Sequence, residues 1–267
     1  MNYYTLPNDN VLISFSGGRT SGYMLHKILE ANDYELPPNC RIIFCNTGRE
    51  DEATLKFVRD VEVYWDIHID WLEYRRINNK VAFEKVHHNS ASRNGEPFEA
   101  LLYKPYLPNA MARFCTSELK VLTIKRYLVS LGWKNWVNTV GIRADESHRA
   151  RDSKHKRWTN WYPLASAGAT KRDVMEFWGN QSFDLQVKPG GGNCKGCFLK
   201  SEATLAAMWR DDPVHMQWWA DQEAKVGGTF HKARSYAELG DFVQRQSDWI
   251  FDDTAYLCQS DQGECTG

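Results

Sequence analysis

The sequence predicts an α/β fold: a mostly parallel, doubly wound sheet followed by a helical region that carries cysteines. Three observations point there. Short apolar β-forming runs alternate with amphipathic helical stretches between residues 11 and 142, the order that gives parallel strands and right-handed crossovers. The 267 residues, 42% hydrophobic and 25% charged, suffice for a large core and exclude a disordered or collagen-like chain. Four of the seven cysteines, Cys194, Cys197, Cys258 and Cys265, fall beyond residue 190. With no basic-then-apolar leader visible, this clustering points to metal binding or thiol chemistry in the cytoplasm rather than to disulfides.

The elements follow in order. Residues 11–15 (VLISF) form a strand, 16–21 a Gly-rich turn, and Tyr23, Met24, Leu25, Ile28 and Leu29 recur at helical spacing. Residues 41–45 repeat the strand, 46–48 the turn, and 51–65 the helix, with Leu55, Val58, Val61 and Trp65 on one face. Residues 68–74 form a third strand. The stretch 75–112 is broken by polar residues and prolines and reads as an insertion or lid. Residues 115–131 form a helix closed by Gly132, and 136–142 a fourth strand. Residues 143–157 are a polar loop with six basic and three acidic residues. Thr170 and Asp173 give a capping box, Asp212-Pro213 a helix start, and Ser235 with Glu238 another cap. The division expected is 1–165 for a nucleotide-binding α/β domain and 166–267 for a helical region with the cysteine motif.

Lys plus Arg number 33 and Asp plus Glu 34. This balance excludes a globally basic nucleic-acid wrapper, though not a local patch. No apolar run approaches the roughly 20 residues of a membrane span. The eleven tryptophans read mainly as core.

Ser16-Gly17-Gly18-Arg19-Thr20-Ser21 follows a strand and opens a helix. Glycines there let backbone amides converge on an anion, and the helix dipole adds to the attraction. The spacing matches neither a Walker A loop nor the dinucleotide fingerprint. It resembles the PP-loop, SGGxDS, of the adenine-nucleotide alpha-hydrolase superfamily, which includes ATP pyrophosphatases and phosphoadenosine phosphosulfate (PAPS) reductases. Thr20 stands where that loop has Asp. Three further segments resemble the PAPS reductase family in its own order. They are Asn46-Thr47-Gly48 with Thr54, Arg113-Phe114-Cys115 with Lys120, and Gly141-Ile142-Arg143 with Glu146, Ser147 and Arg149. Asn193-Cys194-Lys195-Gly196-Cys197-Phe198-Leu199-Lys200 is similar to a cysteine motif of phage and prophage proteins of this group.

The resemblance implies an adenine nucleotide, ATP or PAPS, bound by Ser16, Gly17, Gly18, Arg19, Thr20, Ser21, Thr47, Gly48, Arg143 and Arg149. It implies catalytic roles for Arg143, Glu146 and Lys120. Asp145 and Glu146 either hold Mg²⁺ or orient an arginine. Arg151, Lys154, Lys156 and Arg157 match nothing in the family.

Cys194 and Cys197 supply two thiolates at chelating distance. Cys115 and Cys265 are the expected third and fourth ligands, with Cys258 competing for the last place. The resemblance favours a 4Fe-4S cluster, with zinc as the alternative. A dithiol redox pair at Cys194 and Cys197 is the other reading. Cys265, in a Glu-Cys dipeptide near the end, also resembles the mobile catalytic cysteine of cluster-free PAPS reductases. Cys40 and Cys45 read as packing. The leading expectation is a PAPS reductase-like oxidoreductase using a thioredoxin-like reductant. The second is an ATP pyrophosphatase that adenylates and thiolates tRNA or DNA. The third is a non-catalytic nucleotide-binding phage accessory protein. A homodimer is expected.

Overall fold

The computed structural model describes residues 2–103, 106–153, 155–188, 190–192 and 194–246. Lys154, Cys258 and Cys265 therefore lie outside the described residues. Among the described residues there are six strands: β1 (Val11–Ser14), β2 (Cys40–Asn46), β3 (Asp70–Ile77), β4 (Lys80–Val86), β5 (Trp136–Thr139) and β6 (Trp158–Trp161). They form one sheet in the order β4-β3-β2-β1-β5-β6. Every neighbouring pair is parallel except β3 with β4. The helices are α1 (Arg19–Ala31), α2 (Glu52–Tyr64), α3 (Glu96–Leu101), α4 (Thr123–Ser130), α5 (Pro163–Ser166), α6 (Lys171–Gly179), α7 (Glu202–Asp211), α8 (Pro213–Val226) and α9 (Tyr236–Gln246). The mostly parallel α/β sheet with a helical C-terminal region is as the sequence predicts.

Strand alternation sorts the core. Val11, Ile13, Phe15, Ile42 and Phe44 face one side and bury against α1, α2 and α6. Leu12, Ile43, Cys45 and Leu72 face the other, against Tyr127 and Leu128 of α4 and the stacked pair Trp136 and Trp158. A third cluster joins Phe98 and Leu101 of α3 and Leu119 to Phe198, Trp209, Trp219, Phe230 and Tyr236. The C-terminal helices thus share a core with residues 98–119, whereas α6 packs under the sheet. Trp136, Trp158, Trp178 and Trp219 are all buried.

Three stretches differ from the sequence reading. The segment 75–112, read as broken, contains β4 and α3. Asn78 and Asn79 both take positive φ, 49° and 61°, and close a two-residue hairpin between Ile77 and Lys80. β4 escapes pattern reading because it is an edge strand whose exposed positions are Lys80, Glu84 and Lys85. The helix expected over 115–131 is instead a π-helical turn, Thr116–Leu122, running into α4. π-turns are rare and concentrate at functional sites. β6 also falls where only a polar loop and its flank were read.

The expected caps form. Thr170 and Asp173 make a capping box. The Asp212 carboxylate accepts from the His215 backbone N–H at 3.1 Å. Ser235 and Glu238 bond each other reciprocally. Among the described residues no helix is long and apolar enough to cross a membrane.

Trp178 anchors the first core. Its ring meets Phe57, Trp65 and Phe183, and its Nε1–H donates to the Arg19 carbonyl at 2.8 Å. It also fills the space beside Gly22, where an added Cβ would stand 2.6 Å from the ring. Trp178→Ala is expected to cost about 3–5 kcal/mol, read from urea unfolding midpoints. A loss below about 1 kcal/mol would contradict this packing.

Candidate nucleotide and cysteine site

The functional segments gather at the carboxyl edge of the strands, where ligands bind in open α/β sheets. After β1 the chain turns at Gly17, whose φ is 78°. A Cβ there would stand 2.8 Å from the Thr54 methyl, so Thr54 is the floor of the loop. The Ser21 hydroxyl accepts from the Ser16 N–H at 3.2 Å, lies 2.9 Å from the Ser16 hydroxyl and donates to the Gly18 carbonyl. Helix α1 begins at Arg19 with no side-chain cap, which leaves first-turn amides for an anion. Gly141 passes over the loop; a Cβ there would be 3.4 Å from the Ser21 Cα. A cavity of about 160 Å³ opens here, lined by Ser16, Ser21, Ile43, Val140, Gly141 and Lys120 among others.

The remaining loop residues face different tasks. Thr20 is fully buried, and its hydroxyl accepts from Arg143 Nη1 at 3.1 Å. Thr20 thus spends its side chain on an arginine. Arg143 also bonds Asp145 at 3.0 and 3.3 Å and pairs with Glu146 at 3.3 Å. Arg149 pairs with the other oxygen of buried Glu146 at 2.5 Å. Of the two roles weighed for Asp145 and Glu146, this geometry is that of orienting arginines. Arg19 points away from the cavity toward Asp184.

Asn46, the last residue of β2, stands where the Asp-Thr-Gly segment that it resembles has Asp. Its amide donates to Glu73 Oε1 at 2.6 Å, and its Oδ1 accepts from the Gly48 N–H at 3.0 Å. Glu73 is fully buried and also bonds Ser92 and Arg75. A carboxylate at 46 would face that buried carboxylate, so the amide is the group that fits. Neither Glu73 nor the next acid, Glu50, was singled out from the sequence. Glu73 is a lone acid within β3 and Glu50 opens the run Glu50-Asp51-Glu52 after β2, and neither shows motif spacing.

Thr47 and Gly48, expected at the nucleotide, are both buried, Thr47 beside the cysteine loop and Gly48 beside Gly95 and Pro97. The Thr47 hydroxyl donates to Glu50 Oε1 at 3.1 Å and lies 3.1 Å from Cys194 Sγ. Glu50 forms an isolated antiparallel bridge with Cys194, and the Lys195 N–H donates to the Arg49 carbonyl at 2.8 Å. Lys120 reaches Glu50 at 3.6 Å.

The cysteine loop is fixed from all sides. The Lys195 carbonyl accepts from Trp219 Nε1–H at 2.9 Å and from His215 Nε2–H at 3.2 Å. The Gly196 carbonyl accepts from the Tyr236 hydroxyl at 2.6 Å. Buried Lys200 donates to the carbonyls of Gly190 and Gly192 at 2.7 and 2.8 Å. Gly196, at φ 77°, has no room for a Cβ, which would stand 2.4 Å from Trp219 Nε1.

Cys115, Cys194 and Cys197 line one small cavity of about 30 Å³, together with Arg113, Phe98, Leu119, Phe198, Thr47 and Lys120. Three of the four expected ligands thus border one cavity. The fourth, Cys265, and its competitor Cys258 lie outside the described residues. The donor set, three thiols in an apolar surround, suits soft thiolate ligation. Among the described residues no three His, Cys, Asp or Glu groups are gathered to hold a metal ion. Burial pushes the Cys194 thiol well above its ordinary range, with Glu50 adding to the rise and Lys120 opposing it. Such a thiol is a poor free nucleophile. Burial pushes Cys45 up to about 12, with Lys120 opposing the rise and Glu50 adding to it, and pushes Cys40 to about 12 against an opposing effect of Arg41. Both sit in hydrophobic clusters.

Residues 10–177 match the family model of the phosphoadenosine phosphosulfate reductase domain. The chain belongs to the PAPS reductase family. An uncharacterized nin region protein of Escherichia phage lambda is 30% identical to this family member over 208 residues, 75% of this chain and 70% of that one. An uncharacterized protein of Methanocaldococcus jannaschii is 29% identical over 162 residues, 60% of this chain but only 28% of that longer protein. Among solved structures, a PAPS reductase from Candida auris in a phosphate complex aligns with TM-score 0.44 and 17% identity, covering 68% of this chain and 76% of that one. The tRNA thiolase NcsA from Methanococcus maripaludis, with its 4Fe-4S cluster, aligns with TM-score 0.40 and 13% identity, covering 97% and 80%.

The support of the cysteine loop carries a pH signature. Burial, with Arg49 and Lys195 adding to it, lowers the His215 pKa from 6.5 to about 4. Between these values the folded chain holds fewer protons than the unfolded chain, so this contribution to stability is present above pH 6.5 and lost as pH falls toward 4. His215→Asn is expected to flatten that part of the stability curve, read from urea midpoints at pH 4.5 and 7. An unchanged slope would contradict it.

Proposed function

We propose that this chain binds an adenine nucleotide in the Ser16–Ser21 loop and carries out sulfonucleotide reduction beside a cysteine-held iron–sulfur cluster. The observation that carries the reading is a shared wall. Thr116 and Lys120, on the π-helical turn, line both the nucleotide cavity and the cysteine cavity. In this reading the loop amides and the Ser16 and Ser21 hydroxyls hold the phosphates. The Lys120 ammonium, stationed by Glu50, neutralises charge on the sulfonate while a cysteine thiolate bonds to its sulfur and the adenosine phosphate leaves; a dithiol donor then reduces the S-sulfocysteine and sulfite is released. Arg143, which bonds Thr20 of the loop, is oriented by Asp145 and Glu146, and Arg149 by Glu146.

Cys115, Cys194 and Cys197 would hold the cluster, which when bound supplies charge stabilisation and redox support next to the substrate. Zinc in the same thiolate set is the alternative, and the choice of a cluster rests on the resemblance of the cysteine motif. A thioredoxin-like protein is the reductant in this reading, and the enzyme acts as a homodimer.

A second reading, ATP-dependent adenylation followed by sulfur transfer to tRNA or DNA, is favoured by the intact Ser16-Gly17-Gly18 turn. Magnesium would accompany ATP there. The two readings separate in one assay series. Anaerobically purified protein, given PAPS and a reduced thioredoxin-like donor, is expected to release sulfite. Lys120→Ala is expected to lower that rate about 100-fold, and Cys194→Ser to reduce bound iron. Pyrophosphate release from ATP plus an RNA or DNA acceptor, with no sulfite from PAPS, would replace reduction by the second reading. Nucleotide binding with neither product would point to a non-catalytic nucleotide-binding protein.

A further inference from the structure

Arg19 is the first residue of α1, at the positive end of the helix dipole, where a cation is disfavoured. No acid in the first turn offsets it. Instead its guanidinium grips Asp184 in a forked pair, Nε to Oδ1 and Nη2 to Oδ2, both at 2.8 Å, and donates to the Leu185 carbonyl at 2.5 Å. Asp184 lies in the segment between α6 and the glycine-rich loop. Its side chain is 28% exposed, and that of Arg19 13%. Water and solutes therefore reach the pair at its rim. Arg143, which reaches the loop at Thr20, is deeply buried and fixed by Thr20, Asp145 and Glu146.

We propose that Asp184 is a positioning residue that holds Arg19 off the phosphate loop and releases it to a polyanionic ligand. The inference rests on the reading of residues 16–21 as a phosphate-binding loop. A forked arginine–carboxylate pair and a forked arginine–phosphate pair use the same donors. A group with two or more negative charges at the helix start gains from the amides, the dipole and Arg19 together. Asp184 brings one charge and none of the amides. The exchange therefore favours pyrophosphate-bearing or bisphosphorylated ligands over a neutral nucleoside, and Asp184 sets the threshold. Releasing Arg19 also frees Asp184 and the segment that leads into the cysteine loop.

The test is calorimetric binding of inorganic pyrophosphate, ATP and adenosine to the full chain and its variants. Asp184→Asn is expected to tighten pyrophosphate and ATP about fivefold, the worth of a partly exposed ion pair, with adenosine unchanged. Arg19→Gln is expected to weaken both anions. In the Arg19→Gln background, Asp184→Asn should make no further difference, since the pair is already broken. Asp184→Ser serves as a second variant, and thermal melting checks that each folds. Anion affinity unchanged or weakened in both folded Asp184 variants would overturn the proposal. So would a gain that persists without Arg19, or adenosine tightening equally. If the unaltered chain binds neither pyrophosphate nor ATP, the phosphate-loop reading itself fails and this proposal fails with it.

Discussion

The stitch between the end of β2 and the cysteine loop is the contact on which the rest of the site depends. The Glu50–Cys194 bridge, the Lys195 N–H to Arg49 carbonyl bond and the Thr47–Cys194 contact join segments about 145 residues apart in sequence. Closing so long a loop is entropically costly, and three polar contacts would not offset it alone. The aromatic cluster of Phe98, Trp219, Phe230 and Tyr236 supplies the burial. Its polar tips, Trp219 Nε1 and the Tyr236 hydroxyl, end on carbonyls of the cysteine loop. Core packing and site geometry are therefore one structure: the rings that bury the C-terminal helices also set the positions of Cys194 and Cys197.

Charge placement follows the same economy. Two positions where the family's acids are absent, Thr20 and Asn46, each meet a fixed partner: Arg143 for the first and Glu73 for the second. The losses are linked to what lies opposite. A hydroxyl can accept from a buried arginine already paired with two acids, and an amide can donate to a buried carboxylate. An acid at either position would add a negative charge to a site that already has its complement.

Much of this was legible in the sequence because it is local. Alternating strand and helix periods, the Gly17 turn, the capping pairs and the C-x-x-C each span a few residues. What escaped was set by distant neighbours. β4 is polar because it forms a sheet edge, so its period carries little hydrophobic signal. The π-helical turn at Thr116–Leu122 differs from an α-helix by one backbone register, which no side-chain pattern reports. Glu50 and Glu73 acquire meaning only from Thr47, Lys120, Asn46 and Ser92, brought to them by the fold. Thr47 and Gly48 were placed at the nucleotide by resemblance, whereas their closest partners are Glu50, Cys194, Asn46 and the space beside Gly95 and Pro97.

The central claim is that nucleotide and cysteine chemistry meet across Lys120. The most direct measurement is a crystal structure of anaerobically prepared protein with an adenine nucleotide, recorded at the iron absorption edge. The account predicts an anomalous iron signal bounded by Cys115, Cys194 and Cys197, nucleotide phosphates on the Ser16–Ser21 loop, and the Lys120 side chain between them. Iron bound elsewhere, or a nucleotide seated away from that loop, would contradict it.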